Sequence, residues 1–319
     1  MNEYVKGPAP ERWQWTKNYM QYPRWHWNKN CTQYPHEVIQ RTSTRPNSDL
    51  CDECLEIEKR EQIIRELSRY KEVKEIMSQE IATIIPEASI AEAAGIMGRK
   101  HIGSLIVMKY DLPVGIVTER DVFSKVFAMG KNFGDIKVET IMSYPLIDTE
   151  PAVKIKEAAR MMIKKKGKLT VFEGRKLVGI ITASDLIKSL PDIPETEVKV
   201  DDFMTKRVET ADEKTPVASV VKLMGEKRIG SVIVTRKGEP FGIFTERDFL
   251  SNFLIEDKPI MGKVGKEASL PLITAPIGTS VHEAAVIMAI NHIRRLPITS
   301  DGKIVGIITA RDLVEAYAK

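Results

Sequence analysis

One seven-residue string occurs four times in this chain, and it constrains the fold more than anything else in the sequence. The copies are Gly115-Ile116-Val117-Thr118-Glu119-Arg120-Asp121, Gly179-Ile180-Ile181-Thr182-Ala183-Ser184-Asp185, Gly242-Ile243-Phe244-Thr245-Glu246-Arg247-Asp248 and Gly306-Ile307-Ile308-Thr309-Ala310-Arg311-Asp312. The glycines stand 64, 63 and 64 residues apart, which is the signature of one structural unit repeated. Each copy reads as a buried strand ending where a helix begins. The Thr falls at the cap, so its hydroxyl and the free N–H groups can meet a phosphate. The Asp one turn on can accept from ribose hydroxyls. The plain alternative is a capping box, in which Thr and Asp serve only the helix end.

The rest of each unit follows the same plan. A Met-containing lead-in comes first: Ile76-Met77-Ser78, Ile141-Met142-Ser143, Phe203-Met204-Thr205, and a weaker match at Val264-Gly265-Lys266. A short strand follows, then a helix with a small residue and a Met three apart on one face. These pairs are Ala94/Met97, Ala159/Met162, Val221/Met224 and Ala285/Met288, and that face should be core. Two more strands lead to the helix opened by the motif. The class is therefore α+β, with the order strand-helix-strand-strand-helix. A unit this small buries a sheet poorly alone, which favours pairing. Units one and three share Ile-Gly-Ser (102–104, 229–231) and Thr-Glu-Arg-Asp, whereas two and four share Gly-Ile-Ile-Thr-Ala-x-Asp-Leu. The predicted couples are thus 71–190 and 198–319, joined by a Pro-rich linker at 191–197.

The repeats resemble CBS domains, named for cystathionine beta-synthase, and each couple resembles a Bateman module. The resemblance covers about residues 71–319. It implies sheets packed face to face around a cleft for adenosine ligands such as AMP, ADP, ATP or S-adenosylmethionine. It also implies phosphate contacts from the Thr and ribose contacts from the Asp of the motif, at Thr118/Asp121, Thr182/Asp185, Thr245/Asp248 and Thr309/Asp312. A polyphosphate needs added positive charge, for which Lys100, His101, Lys168, Arg228, Arg294 and Arg295 are candidates. Arg294-Arg295 gives the fourth repeat the strongest basic pair. His282 and His292 read as surface or packing residues. Thr83, Thr210 and Thr274 occupy the adenine neighbourhood in three repeats, whereas the second has Ile147-Asp148 there, which ranks it weakest.

The first 48 residues differ from the repeats. They hold all four tryptophans, Trp13, Trp15, Trp25 and Trp27, interleaved with cations that include Arg24 and Lys29. They read as an extended basic, aromatic arm, followed by a helix over 49–70. All three cysteines precede residue 55. Cys51-x-x-Cys54 with Cys31, completed by His26 or His36, has the composition of a closed zinc site. Aromatics with cations suit stacking on unpaired bases; the alternative is a hydrophobic strap on protein.

The composition, 43% hydrophobic and 29% charged over 319 residues with a net charge of +4, suits a globular protein. No apolar run approaches the roughly 20 residues needed to span a bilayer, and residues 1–15 lack a signal-peptide core. The expected setting is cytoplasmic, with no membrane partner. The chain carries no Walker-type loop or dinucleotide fingerprint. The reading is a non-enzymatic regulator that binds adenine nucleotides and transmits energy state to a partner. Alternatives are an RNA- or ribosome-binding factor acting through the arm, and a regulatory subunit of an enzyme or transporter. Self-association into a homodimer is compatible with each.

Overall fold

The structure, a computed structural model, describes residues 4–6, 25–26 and 40–42 as backbone, and 72–126, 134–189, 198–255 and 261–319. Two compact units divide at Arg69/Tyr70. In the first, the expected arm forms a three-stranded antiparallel sheet. Tyr4–Lys6 is its centre, flanked by Trp25–His26 and Gln40–Thr42. Of the residues singled out there, Trp25 and His26 belong to this backbone. Trp13, Trp15, Arg24, Trp27, Lys29, Cys31, His36, Cys51 and Cys54 lie outside the described residues.

The second unit holds four three-stranded sheets of one topology. In the first repeat, Thr83–Ile84 runs parallel to Ser104–Lys109, which pairs antiparallel with Leu112–Thr118. The other three repeats copy this arrangement with Asp148–Thr149, Leu169–Glu173 and Lys176–Ile181, with Thr210–Asp212, Ser231–Arg236 and Glu239–Thr245, and with Ala275–Pro276, Arg295–Ser300 and Lys303–Thr309. Each first strand is linked to the second by a helix: Ile90–Arg99, Ile155–Lys165, Val217–Lys227 and Val281–Ile290. The eight small and Met residues predicted for the core are all 3% exposed or less. Their burial supplies the hydrophobic gain that a 60-residue unit would lack alone.

Repeats are joined in two ways. The lead-ins cross over between neighbours: Ser78 bridges Ile180 and Ser143 bridges Ile116, while Thr205 bridges Ile307 and Ser269 bridges Ile243. Repeats one and two, and three and four, therefore trade segments. The motif glycine makes room for this crossing, since glycine inside a strand permits close backbone approach. A Cβ on Gly115 would meet Met142 Sδ at 2.9 Å, one on Gly179 would meet Met77 Sδ at 2.5 Å, and one on Gly306 would collide with Met204. The fourth lead-in corrects the sequence alignment. Val264 matches Val73, Val138 and Val200, all fully buried, so Ala268-Ser269 holds the place of Met77-Ser78. Ala268 and Leu270 then cover Gly242.

The helical layers make the second joint, and they pair differently. One core cluster combines side chains of repeats one and three, and the other those of repeats two and four. Phe123 and Phe249 meet edge to face at the first seam, with ring centroids 5.7 Å apart, a contact worth about 0.5–1.5 kcal/mol beyond area burial. Each repeat thus touches one partner through its lead-in and another through its helices.

Candidate functional site

The four motifs build one local geometry. Thr118, Thr182, Thr245 and Thr309 cap their helices from extended backbone. Each Thr hydroxyl donates to Oδ2 of its own Asp, at 2.6, 2.7, 2.7 and 2.8 Å. Each Thr backbone N–H donates to the same oxygen, at 3.0, 2.9, 2.8 and 2.8 Å. The capping box is therefore closed in every copy. The second carboxylate oxygen differs between copies. Asp121 Oδ1 pairs with Lys125 at 2.9 Å, and Asp248 Oδ1 accepts from the Ser269 hydroxyl at 2.9 Å. Asp185 Oδ1 has only Lys188, at 3.9 Å. Burial pushes the Asp248 carboxyl up from its usual range, against the bonds from Thr245 and Ser269 that hold it down.

A cavity of about 600 Å³ opens beside the second motif. Thr182, Ser184 and Asp185 line it from the second repeat, and Ile81, Ala82 and Ile106 form part of its apolar wall from the first. Lys100, Lys168, Arg247 and Arg294 bring positive charge from all four repeats, and the imidazoles of His101 and His292 line it too. Of the residues nominated from sequence, Lys100, His101, Lys168, Thr182, Asp185 and Arg294 thus meet here. Arg295 lines a second cavity of about 240 Å³, with Ser269 and Leu270. Arg228 lines a third of about 840 Å³, with Phe123 and Lys125. Thr118, Asp121, Thr245, Asp248, Thr309 and Asp312 line none of these three. The fourth repeat's arginines reach away from its own motif. Arg294 NH1 lies 3.5 Å from Glu119 Oε2, and Arg295 NH2 lies 3.1 Å from Glu246 Oε2.

The charged end of the 600 Å³ cavity is the meeting point of the unit. Glu119 Oε1 accepts from Arg247 Nε at 2.9 Å, so one carboxylate holds two arginines. Lys168 Nζ turns inward and donates to the Gly103 carbonyl at 2.7 Å. Burial lowers the Lys168 pKa to about 8, with Glu119 opposing that shift and Arg247 adding to it. Arg247 NH2 is buried without a hydrogen-bond partner, and such a donor costs stability until an acceptor reaches it. Gly103 leaves room for this pair: a Cβ there would stand 3.0 Å from both Arg294 NH1 and Glu119 Oε2.

Sequence reasoning missed Arg247 and Glu119, although the Glu-Arg pair shared by motifs one and three was the available signal. It also set His292 aside. His101, Lys166, Arg228 and His292 hold one equivalent position, the turn after each linking helix, with φ of 53°, 58°, 54° and 53°. A non-glycine residue there stores strain of order 1–3 kcal/mol, a feature that clusters at ligand clamps.

A profile for the CBS domain matches residues 73–128, 138–192, 200–255 and 264–319. The chain belongs to the CBS-domain family. Similar proteins include MK0525 of Methanopyrus kandleri, 33% identical over 127 residues, covering 39% of this chain and 65% of that protein. MJ1404 of Methanocaldococcus jannaschii is 27% identical over 267 residues, covering 77% of this chain and 62% of that protein. The matched region thus spans just under two thirds of these two relatives. The crystal structure of MJ1225 from M. jannaschii, described as a candidate archaeal homologue of g-AMPK, superposes with a TM-score of 0.64 at 24% identity. It covers 77% of this chain and all of that one, a likeness of fold. No helix among the described residues is long and apolar enough to cross a membrane.

Proposed function

We propose that this CBS-domain protein is a non-enzymatic regulator that binds an adenine nucleotide in the 600 Å³ cavity and passes its occupancy to a macromolecular partner. The observation that carries the reading is that Lys168, Arg247 and Arg294, from three repeats, line one cavity, with both arginines on the single carboxylate of Glu119. Three cations and a buried unpartnered guanidinium nitrogen suit a phosphate, for which arginine is the best-matched donor. Asp185, with Oδ2 committed to Thr182 and Oδ1 lightly held, is placed to accept from ribose hydroxyls. Ile81, Ala82, Ile106 and Ile180 offer an apolar wall for the base. The volume lies in the range of small-molecule sites. The match of all four repeats to the CBS domain, a family that typically takes adenine nucleotides, supports an adenine ligand.

Calorimetry with AMP, ADP, ATP and GTP tests the reading. An adenine nucleotide should bind in preference to GTP, and Asp185→Ala should weaken it by about 1.5–3 kcal/mol, the worth of a hydrogen bond to a charged group. Asp312→Ala should do less, which reverses the ranking drawn from sequence. Absence of heat and of thermal stabilisation with every adenine nucleotide removes the proposal. A second reading, RNA or ribosome binding through the N-terminal unit, rests on its concentration of Trp13, Trp15, Trp25 and Trp27 among Arg24, Lys29 and other cations.

A further inference from the structure

Glu119 holds two of the arginines that line the cavity, a role that the fold does not require. Its backbone N–H donates to the Gly103 carbonyl at 3.3 Å, tying the motif to the preceding strand. The same tie is made by Glu246 to Gly230 at 3.1 Å and by Ala310 to Arg294 at 2.9 Å. Alanine therefore serves that backbone role equally well, and Ala183 and Ala310 hold the position in repeats two and four. The Glu119 side chain is an addition. It is 14% exposed and reaches two arginines of the other couple, Arg247 at 2.9 Å and Arg294 at 3.5 Å. Both oxygens of its carboxylate are thereby engaged at the charged end of the cavity. Glu246 is its counterpart in repeat three, but Glu246 holds Arg295 instead and lines the 840 Å³ cavity. The two glutamates thus stand at equivalent positions and only one serves this cavity.

We infer that Glu119 is a specificity-determining residue: its carboxylate is a resident counter-anion that occupies part of the arginine donor set and disfavours ligands with longer, more highly charged phosphate chains. The inference rests on the nucleotide reading above. Three cations face the charged end, Lys168, Arg247 and Arg294. Glu119 neutralises one of them. Asp121 and Asp185, the other acids acting on Lys168, have lysines of their own in Lys125 and Lys188, as Glu80 of the lining has Lys100. A monophosphate matches what remains. Each further phosphate group must approach Glu119 or displace it from Arg247. Like charges a few ångströms apart at a partly buried site alter affinity by more than about tenfold.

The experiment is calorimetric titration of the full-length protein, wild type, Glu119→Gln and Glu119→Ala, with AMP, ATP, inorganic phosphate and pyrophosphate. Circular dichroism checks folding, and the alanines of repeats two and four make Glu119→Ala sterically permissible. Both variants should raise the ratio of ATP to AMP affinity about tenfold, and the ratio of pyrophosphate to phosphate affinity in the same direction. Arg247→Met, which removes a cation and leaves Glu119, should move both ratios the opposite way and decides the matter should the Glu119 variants fail to fold. Unchanged or lowered ratios in folded Glu119 variants overturn the inference and assign Glu119 to holding the arginines in place. Should nucleotides bind no variant while pyrophosphate gains in Glu119→Gln, the adenine reading fails and the counter-anion stands. No binding of any of the four ligands to any variant overturns both.

Discussion

The crossing of each lead-in over its partner's motif glycine predicts that substitutions at chemically equivalent glycines differ in cost. At Gly115 a new Cβ would lie 2.9 Å from Met142 Sδ and 3.1 Å from the Ser143 carbonyl oxygen. The sulfur can rotate away, but the carbonyl belongs to backbone held in the Ile116–Ser143 bridge by hydrogen bonds of 3.0 and 2.8 Å. Overpacking costs about 1–3 kcal/mol, and weakening the two bonds adds up to about 1 kcal/mol each. Gly115→Ala should therefore destabilise by about 2–4 kcal/mol. At Gly179 the three nearest atoms all belong to the flexible Met77 side chain, and Gly179→Ala should cost about 1 kcal/mol. Met77→Ala should relieve most of that cost, whereas Met142→Ala should relieve only part of the cost at Gly115. Gly225 is the control: it lies within the helix Val217–Lys227 with nothing within 4 Å of a new Cβ. Gly225→Ala should stabilise by about 0.5–1 kcal/mol. Unfolding is best followed by circular dichroism, because all four tryptophans precede residue 28 and none belongs to the repeats. Equal effects of Gly115→Ala and Gly179→Ala, or a cost at Gly115 under about 0.5 kcal/mol, refute the reasoning.

Three further outcomes are expected. Lys168 holds its proton less tightly when folded, with a pKa of about 8 against 10.5, so the unfolded chain binds more protons between those values. Stability is therefore penalised below about pH 8 and recovers as pH rises toward about 10.5, by at most about 3 kcal/mol for a shift of that size; Lys168→Met should flatten this rise in a pH series of melts. A phosphate arriving beside Lys168 raises its pKa again, so nucleotide binding near pH 8 should take up a proton, visible as a binding heat that varies with the ionisation enthalpy of the buffer. Elemental analysis should find about one zinc per chain, and three freely titratable thiols without metal dispose of the site at Cys31, Cys51 and Cys54. In filter binding with structured RNA, the full chain should bind with strong salt dependence and a chain starting at Lys71 should not; equal binding by the two removes the RNA reading.

The repeat, its strand and helix order and the buried face of each linking helix were legible because they are periodic and local. Two features were not. The lead-ins were visible as Met-containing strings, but their crossing to the neighbouring repeat depends on Gly115, Gly179, Gly242 and Gly306. Those glycines served as markers of the motif, when glycine in a strand already signals close approach. The pairing of helical layers, one with three and two with four, was hidden because all four helices present similar small and Met residues. The charged end of the cavity was hidden for a related reason. Arg294 and Arg295 looked like equipment of the fourth repeat, yet they point to glutamates of the first and third. Arg247 lies inside the motif string, where nothing local sets it apart from Arg120 and Arg311.

The same crossed wiring bears on what four repeats achieve that two cannot. Lys168 comes from the first couple and Arg247 and Arg294 from the second, so neither couple alone assembles that donor set. Within the first couple, Lys168 reaches repeat one through the Gly103 carbonyl. Between couples, the ties at this point run through Glu119 to Arg247 and Arg294. A phosphate held by all three cations competes with Glu119 for the arginines, and in doing so replaces a tie between couples with a tie through ligand. Binding then has unequal free energies for two arrangements of the couples, the condition for a ligand to shift a conformational equilibrium. A differential of about 1.4 kcal/mol already moves it tenfold, less than the worth assigned to one charge-assisted hydrogen bond. On the nucleotide reading, loss of a tie at Glu119 would bias the arrangement of the couples only as far as the two cores they share allow.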